Sequence, residues 1–431
     1  MNRAQFLVAA ALASPGLRDI LRRPASAEAA AGPRPETWDA IRGEFALAPG
    51  VTQLSAFLLA SHPRPVREAI ERHRRGLDAN PHGYLDHAAS FEERARRSAA
   101  QSLGSQPSQV ALTDSTTMGL GLLYGGLRLA AGDEVLTTVH DFYSTHAALE
   151  LRAAATGARV RKISLYRDLR HVSEAEIVAS VAAALRPETR YVAVTWVHSS
   201  TGLKLPIRQI AAAVRRANAS RSAGRQIRLC VDGVHGFAVE PEPVASLGCD
   251  FFVSGCHKWL FGPRGTGLVW AKDPAWAGAS EIIPSFDRQA IGAWIRNGPS
   301  SPLSGAQLTP GGFHTFEHRW ALDEAFRFHR RIGSARIAAR THELAARLKE
   351  ELARLRGVHV QTPAAARLSS GLVCCTVDGH DPNDFVQRLF DKHRIVASVT
   401  PYARQLVRFG PTIVNSHEEI DRTVRAVHAL T

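Results

Sequence analysis

The chain has 431 residues, of which 45% are hydrophobic and 22% are charged. This balance is typical of a globular protein and excludes fibrous, collagen-like and wholly disordered chains. Lysine and arginine number 53 against 40 acidic residues, which gives a net charge of +13. Because no run of five or more basic residues occurs, we expect an arginine-rich surface and no nucleic-acid partner.

The N-terminal segment has the layout of an export signal. Arg3 precedes the apolar stretch Phe6 to Ala13, and small residues suited to cleavage follow between positions 25 and 29. The opening is similar to a twin-arginine signal in which Ala4 takes the place of the second arginine. This departure favours a cytoplasmic protein, with export to the periplasm or cell exterior as the alternative. Apolar runs stay below 18 residues, so we expect no membrane partner.

Short apolar strands alternate with helical patterns from about residue 100 onwards. Helical patterns such as Glu174 to Leu185 and Pro206 to Ala217 lie between most of the strands. The alternation predicts an α/β domain with a mostly parallel sheet, although the last two strands, joined by a Gly/Pro loop, need not be parallel. The predicted strands are Gln109 to Leu112, Glu134 to Thr138, Val160 to Leu165, Tyr191 to Val197, Gln226 to Val231, Asp250 to Ser254 and Thr266 to Trp270.

The pattern changes after about residue 305. A long helical stretch, Arg319 to Arg356, is followed by a strand at Gly371 to Val377, a helix at Pro382 to His393 and a strand at Leu406 to Phe409. These elements predict a second, smaller α+β domain. The predicted division is a leader over 1–31, an N-terminal arm on the small domain over 32–60, a large domain over 61–305 and a small C-terminal domain over 306–431.

Polar clusters follow five of the predicted strands, at the edge of a parallel sheet where ligands bind. Ser115, Thr116 and Thr117 open a helix, whose free amides and dipole favour an anion such as a phosphate. A plain helix cap is the alternative explanation for these three residues. The other clusters are His140 to Ser144, His198 to Gly202, Asp232 to His235 and Gly255 to Lys258.

Lys258 stands out because only six of the 53 basic residues are lysine. An amine at a strand end, beside His257 and before the apolar Trp259, is expected to be desolvated, which lowers its pKa. Such a lysine can form a Schiff base with an aldehyde. Asp232 ends the preceding strand, where a carboxylate can pair with a protonated pyridine nitrogen. An ordinary surface lysine and a helix-capping aspartate are the alternatives.

At these residues the chain resembles the class V, fold-type I enzymes that use pyridoxal 5'-phosphate, and within them the isopenicillin-N-epimerase-like branch. The resemblance covers about residues 40–425. It implies a large domain with a mostly parallel seven-stranded sheet, a smaller α+β C-terminal domain and a homodimer. The motifs are VDGVHGFA (Val231 to Ala238), DFFVSGCHKWLFGPRGTGLVW (Asp250 to Trp270), STTMGL, HDFYSTH and HSSTG in the family's order, and VRFGPTIVNSHEEID (Val407 to Asp421).

The resemblance implies a role for each matched residue. Lys258 would form the internal aldimine with pyridoxal phosphate, Asp232 would keep the pyridine nitrogen protonated, and His235 would approach the ring face or its 3-hydroxyl. Arg408 would bind the α-carboxylate of the substrate. The remaining implied cofactor contacts are Thr116, Thr117, His257 and Ser254 at the phosphate, Tyr143, His140 or Phe142 on the ring, and Ser199 where many members carry an asparagine.

The implied substrate is an amino acid or a small amino-acid-like molecule. Its amine would displace Lys258 to give an external aldimine, and Lys258 would then move a proton at a carbanion on Cα. Epimerisation, transamination and β-elimination all share this carbanion, so the reaction stays open among epimerase, lyase and aminotransferase chemistry. The family likeness favours epimerase or lyase chemistry.

Two departures from the family pattern bear on partner and reaction. Phe313 takes the place of a threonine that in many members reaches the phosphate of the partner subunit, and Thr315 is a candidate substitute. Cysteine desulfurases need a nucleophilic cysteine on a loop, whereas Cys374 and Cys375 lie inside a predicted strand. Their position argues against desulfuration.

Two other functions stay open as alternatives. His314 and His318 fit the H-x-x-E-H pattern of zinc-dependent hydrolases, which needs both histidines on one face of a helix. The preceding Pro310, Gly311 and Gly312 argue against a helix at this point. A catalytically inactive binding protein on the same fold is the other alternative, and the presence of both Lys258 and Asp232 argues against it.

Overall fold

The seven predicted strands of the large domain pair into one sheet. The computed structural model describes residues 37–298 and 303–431. The predicted export signal over 1–31 lies outside these ranges, and none of the helices within them is both long and apolar enough to cross a membrane. The described strands are β1 (Thr52–Gln53), β2 (Val110–Thr113), β3 (Glu134–Thr138), β4 (Arg159–Ile163), β5 (Thr189–Thr195), β6 (Arg228–Asp232), β7 (Phe251–Gly255), β8 (Gly267–Ala271), β9 (Val358–Val360), β10 (Val373–Val377), β11 (Ile395–Val396), β12 (Ser398–Val399) and β13 (Val407–Phe409). The described α-helices are α1 (Trp38–Gly43), α2 (Arg64–Ala79), α3 (Pro81–Leu85), α4 (Ala88–Leu103), α5 (Thr116–Gly125), α6 (Tyr143–Thr156), α7 (Glu174–Ala184), α8 (Ile207–Asn218), α9 (Arg288–Ile295), α10 (Phe316–Ile332), α11 (Ser334–Ala353), α12 (Pro382–His393) and α13 (His417–Leu430).

The large sheet has the strand order β2-β8-β7-β6-β5-β3-β4. Its neighbouring strands are parallel except at β8, which runs antiparallel to both β7 and β2. The predicted mostly parallel α/β sheet is therefore confirmed, and each strand limit lies within two residues of its predicted position. The antiparallel β8 follows from the short Gly/Pro loop after β7, which has no room for a crossover helix.

The strands read as continuous apolar runs because the sheet is covered on both faces. In β5, Tyr191 and Ala193 belong to one buried cluster, whereas Val192 and Val194 belong to another on the opposite face. The same alternation divides β7, where Phe251 and Val253 lie on one side and Phe252 on the other. Helices on both faces exclude water from the sheet and leave its carboxyl edge for polar side chains.

The prediction of one long helix over Arg319 to Arg356 is wrong in one respect, because the structure has two helices there. Gly333 separates α10 from α11 and has a φ of 97°, a backbone conformation that favours glycine. The amide of Gly333 still bonds to the carbonyl of His329, so Gly333 completes the last turn of α10 before the chain changes direction. Helix α10 packs on α2 and α4, and α11 packs on α13 and β9.

The C-terminal part contains a four-stranded antiparallel sheet in the order β12-β13-β10-β9. Helices α11 and α13 share one buried cluster with this sheet. The N-terminal strand β1 pairs in parallel with β11, with Thr52 opposite Ile395, and Leu54 is buried in the same cluster. The exact domain limits proposed from the sequence stay predictions.

Candidate active site

The first turn of α5 lies against the ends of β7 and β8. Ser115 caps the helix by accepting a hydrogen bond from the Met118 amide (3.1 Å), which leaves the amides of Thr116 and Thr117 without intrahelical partners. The hydroxyl of Thr116 is buried and accepts a 2.7 Å bond from the Gly255 amide. Thr116 therefore joins the helix start to β7, and Thr117 is exposed beside it.

Glycine makes this close approach possible. A Cβ on Gly255 would lie 3.1 Å from the Thr116 hydroxyl, and a Cβ on Gly267 would lie 3.1 Å from the backbone of Ser115. Both distances are tighter than ordinary carbon contacts. The free amides at the start of α5 are thus held against the strand ends, where the helix dipole favours an anion.

Lys258 follows β7 and is half-buried at the carboxyl edge of the sheet. Burial lowers the pKa of its amine to about 8, an effect that nearby Asp232 opposes and Arg408 reinforces. A larger share of the amine is therefore neutral at physiological pH than in an exposed lysine. Its nitrogen makes no hydrogen bond or ion pair within the described ranges, so this amine is free to react.

Asp232 is the last residue of β6 and is 2% exposed. Its Oδ1 accepts a 3.0 Å bond from the amide of Val234, and Oδ2 has no hydrogen-bond partner in the described part of the chain. Burial raises the pKa of this carboxyl to about 7, and the charge of Asp141 adds to the rise. A buried carboxylate with one oxygen unpaired is costly, so Asp232 is suited to a cationic partner.

His235 is buried beside Trp259 and Phe57. The indole nitrogen of Trp259 donates a 3.2 Å hydrogen bond to Nδ1 of His235. Because an indole N–H can only donate, Nδ1 is the acceptor and a neutral His235 carries its proton on Nε2. Burial holds the pKa of His235 well below its ordinary value, and Lys258 and Arg408 add to that effect. His235 is thus a neutral hydrogen-bond donor.

His257 and Ser254 have partners within the protein. Nδ1 of His257 lies 3.2 Å from the carbonyl oxygen of Thr266, so Nδ1 carries the proton, and burial lowers the pKa of the ring. Neutral His257 therefore offers Nε2 only as an acceptor. The hydroxyl of Ser254 is fully buried and donates to the Gly255 carbonyl (3.1 Å). Both residues lie at the predicted edge, and their phosphate contacts stay predictions.

Arg408 reaches the same edge from β13 of the small domain. It is 2% exposed, and its Nε and Nη1 donate to the Ser398 hydroxyl (3.1 Å) and the Ser199 carbonyl (2.9 Å). Its guanidinium lies 4.7 Å from the centre of the Phe57 ring. Nη2 makes no hydrogen bond with described residues. The guanidinium is therefore fixed in place with donors left for an anion.

The three candidates for contact with the cofactor ring lie in different surroundings. The ring of His140 stacks on Tyr166 (4.4 Å between centroids, 11° between planes), and the side chain of Tyr143 is 76% exposed. Phe142 makes an edge contact with Tyr402, 5.9 Å between centroids. Phe142 thus lies beside Tyr402, whose hydroxyl bonds to Ser199, whereas the ring of His140 lies 5.5 Å from that of His198. Which ring stacks on a cofactor stays a prediction.

Sequence reasoning missed Phe57 and Tyr402 and did not single out Asp141. The carboxylate of Asp141 joins the ends of β3 and β5 by accepting from the amides of Thr138 (2.9 Å) and Thr195 (2.7 Å). Phe57 and Tyr402 lie in loops far from Lys258 in sequence. An aromatic residue in the short turn before the arginine motif was the signal that could have pointed to Tyr402.

The two histidines of the predicted zinc motif lie in separate environments. His314 precedes α10, with Nε2 3.7 Å from a carboxylate oxygen of Glu92, whereas Nδ1 of His318 lies 2.8 Å from the carbonyl of Arg264. Within residues 37–298 and 303–431, no group of three metal-binding side chains lies close enough to hold an ion. The geometry offers nothing in support of a zinc hydrolase.

Comparison with known proteins identifies the family of the chain. A family model described as aminotransferase class V matches residues 60–423. The chain belongs to this family. Pyridoxal 5'-phosphate is the family's cofactor, as the sequence predicted. The match also confirms the predicted fold-type I architecture.

Relatives and solved structures extend over nearly the whole chain. It is 28% identical over 404 residues to the isopenicillin N epimerase of Streptomyces clavuligerus, covering 91% of this chain and 98% of that relative. It is 26% identical over 428 residues to a probable cysteine desulfurase of Xylella fastidiosa, covering 92% and 96%. A solved structure of a C-DES mutant, with glycine covalently linked to its PLP cofactor, has a TM-score of 0.81 at 22% identity, covering 90% and 98%.

Proposed function

We propose that this protein is a pyridoxal-phosphate-dependent enzyme that acts at Cα or Cβ of an amino acid or an amino-acid-like substrate. The observation that supports this proposal is the convergence of Lys258, Asp232 and Arg408. These residues come from three different parts of the chain, yet the Arg408 guanidinium packs on the ring of Phe57. That ring in turn contacts His235, which follows Asp232 closely in the chain, and Trp259, which is next to Lys258. An amine, a buried carboxylate and a fixed guanidinium are the groups needed for an aldehyde cofactor, its pyridine ring and a carboxylate substrate.

The residues present fit the cofactor. Lys258 offers an unpaired amine of lowered pKa, the buried Asp232 has one oxygen without a hydrogen-bond partner among the described residues, and the first amides of α5 are free for a phosphate. His235 presents a neutral N–H for the ring hydroxyl, because Trp259 occupies its other nitrogen. We therefore retain the cofactor contacts of these residues, and we favour Phe142 among the three ring candidates. The donors of His257 and Ser254 and the hydroxyl of Ser199 already have partners within the protein, so we propose no cofactor contact for them.

The chain's own residues then have distinct tasks. Arg408 binds and orients the substrate carboxylate through Nη2 and the second hydrogen of Nη1. Lys258 takes or returns the proton at Cα, for which its lowered pKa is suited. The bound cofactor supplies an electron sink, and Asp232 keeps its ring nitrogen protonated. Phe57, Trp259 and the buried sheet edge exclude water from these groups.

The choice of reaction rests on the cysteines. All five cysteines are buried and none has an exposed thiol. Burial raises the pKa of Cys374 to about 12 and raises the pKa of Cys375 further, so neither supplies a thiolate near Arg408. This observation disfavours desulfuration, although desulfurases are among the relatives. Epimerase or lyase chemistry is the proposal, with transamination as the alternative.

Titration of the purified holoenzyme with amino acids tests the proposed function. We expect amino acids to change the visible absorbance of the bound cofactor. Arg408→Lys replaces the planar guanidinium by a single ammonium group. It should weaken amino-acid binding by about 10- to 100-fold, because hydrogen bonds to the charged carboxylate are lost. Alaninamide, which has no carboxylate, serves as the control and should bind both forms alike. A wild-type protein without any cofactor absorbance would refute the proposal.

We further propose that the enzyme is a homodimer. Three large apolar side chains near the site are exposed in the single chain, namely Phe313 (79%), Tyr143 (76%) and Met118 (42%). Large apolar side chains that are exposed near a site often mark an interface with another protein surface. Light scattering should give twice the mass of one chain, and Phe313→Asp should increase the monomer fraction. A wild-type monomer that retains the cofactor would contradict this expectation.

A further inference from the structure

Tyr402 lies in the short loop between β12 and β13 and reaches the large domain. Its hydroxyl lies 2.7 Å from the hydroxyl of Ser199, and its ring contacts the edge of Phe142. Tyr402 is half-buried, and this burial raises the pKa of its hydroxyl to about 12, so it stays protonated as a hydrogen-bonding group. Tyr402 therefore connects the small domain to the segment that follows β5.

Ser199 connects Tyr402 to Arg408. Its hydroxyl pairs with Tyr402, and its carbonyl oxygen accepts a 2.9 Å bond from Nη1 of Arg408. The other supports of the guanidinium are the Ser398 hydroxyl and the face of Phe57. If Ser199 shifts, its carbonyl moves and Nη1 loses one of the contacts that set the plane of the guanidinium. Tyr402 and Arg408 thus bond to the same residue, Tyr402 through the hydroxyl of Ser199 and Arg408 through its carbonyl oxygen.

We propose that Tyr402 is a positioning residue for recognition of the substrate's α-carboxylate, acting through Ser199 on Arg408. This inference rests on the proposed function, in which Arg408 binds that carboxylate. The hydroxyls of Tyr402 and Ser199 pair with each other, and in this inference Tyr402 acts on the carboxylate only through that pair. The effect of removing the hydroxyl should therefore depend on whether the ligand carries a carboxylate.

The chain offers a matched control in Tyr191. This residue is buried in the large sheet, and its hydroxyl donates a 2.7 Å bond to the carbonyl of Gly278. Tyr191→Phe, like Tyr402→Phe, removes one tyrosine hydroxyl that makes a 2.7 Å hydrogen bond in the wild-type protein. It does so on β5 upstream of the site, within a cluster that holds no substrate-binding residue. Any general loss of stability should therefore be shared by the two variants.

Binding of L-alanine and L-alaninamide to the holoenzyme separates positioning from packing. The dissociation constant of each is measured from the change in the visible absorbance of the cofactor. Tyr402→Phe should weaken L-alanine binding by about 5- to 10-fold and leave L-alaninamide unchanged, whereas Tyr191→Phe should change neither. Equal weakening of both ligands by Tyr402→Phe, or no weakening, would overturn the inference. A wild-type holoenzyme that responds to neither ligand would instead overturn the proposed function, and this inference with it.

Ser199→Ala provides a second route if Tyr402→Phe does not fold. It removes the same bond from the other side and should give the same selective loss for L-alanine. The double variant should bind L-alanine no more weakly than either single variant, because both changes break one interaction. Additive losses would show that the two hydroxyls act independently and would overturn the proposed connection.

Discussion

Replacing Lys258 with alanine should abolish covalent attachment of the cofactor and lower turnover of any amino-acid substrate by about 1,000-fold or more. Lys258 supplies both the attachment point and the group that moves the proton at Cα in the proposed function. The described structure places no other lysine at this edge. Lys204 forms an ion pair with Glu240 (2.8 Å), and Lys349 bonds to the Ser369 hydroxyl (2.7 Å). Neither can substitute for Lys258.

The measurement is borohydride reduction of the holoenzyme, followed by mass mapping of the labelled peptide. The cofactor should be found on the peptide that contains Lys258 and on no peptide of the Lys258→Ala variant. Lys272→Ala is the matched control, because Lys272 is an exposed lysine that follows β8. Label on a different lysine in the wild-type enzyme would remove Lys258 from the proposed role.

Much of the large domain could be predicted because its strands have a simple signal. A strand buried on both faces has apolar side chains throughout, as Tyr191 to Val194 do on the two faces of β5. Polar residues then mark where each strand ends, which is how Asp232 and Lys258 were found. The break at Gly333 was not predicted, because a single glycine within an amphipathic pattern is compatible with a continuous helix.

The residues that surround Arg408 could not be predicted from local sequence patterns. Phe57 lies some 350 residues from Arg408 in the chain, and Tyr402 lies in a loop, where side-chain periodicity carries no information. Both contacts depend on how the small domain sits against the large one. The motif found Arg408, but the serines and the aromatic ring that orient its guanidinium required the fold.

Asp232→Asn should stabilise the apoprotein while it impairs the loaded enzyme. The carboxyl of Asp232 has its pKa raised from an ordinary value near 4 to about 7. Between these pH values the folded chain keeps a proton that the unfolded chain releases, so the wild-type apoprotein loses stability as pH rises through this window. Asparagine does not ionise, and the variant should therefore lack that loss. At pH 8 its advantage in the free energy of unfolding should be on the order of 4 kcal/mol.

Thermal unfolding of the two apoproteins between pH 4 and pH 8 checks this expectation. The melting temperatures should be similar near pH 4 and should diverge as the pH rises. Asp250→Asn is the control, since Asp250 is also a partly buried carboxyl of raised pKa but precedes β7, at the opposite edge of the sheet from Lys258. Only Asp232→Asn should also weaken the cofactor's response to amino acids.

The greater stability of the Asp232→Asn apoprotein and the impairment of its loaded form have one physical cause. A buried carboxylate without a cation costs free energy, and a protonated ring nitrogen is the cation that would offset that cost. A residue retained for binding should therefore destabilise the empty fold, whereas a residue retained for structure should not. If Asp232→Asn lowers the apoprotein's melting temperature at pH 8, the unpaired oxygen of Asp232 has a structural partner and its assignment to the cofactor fails.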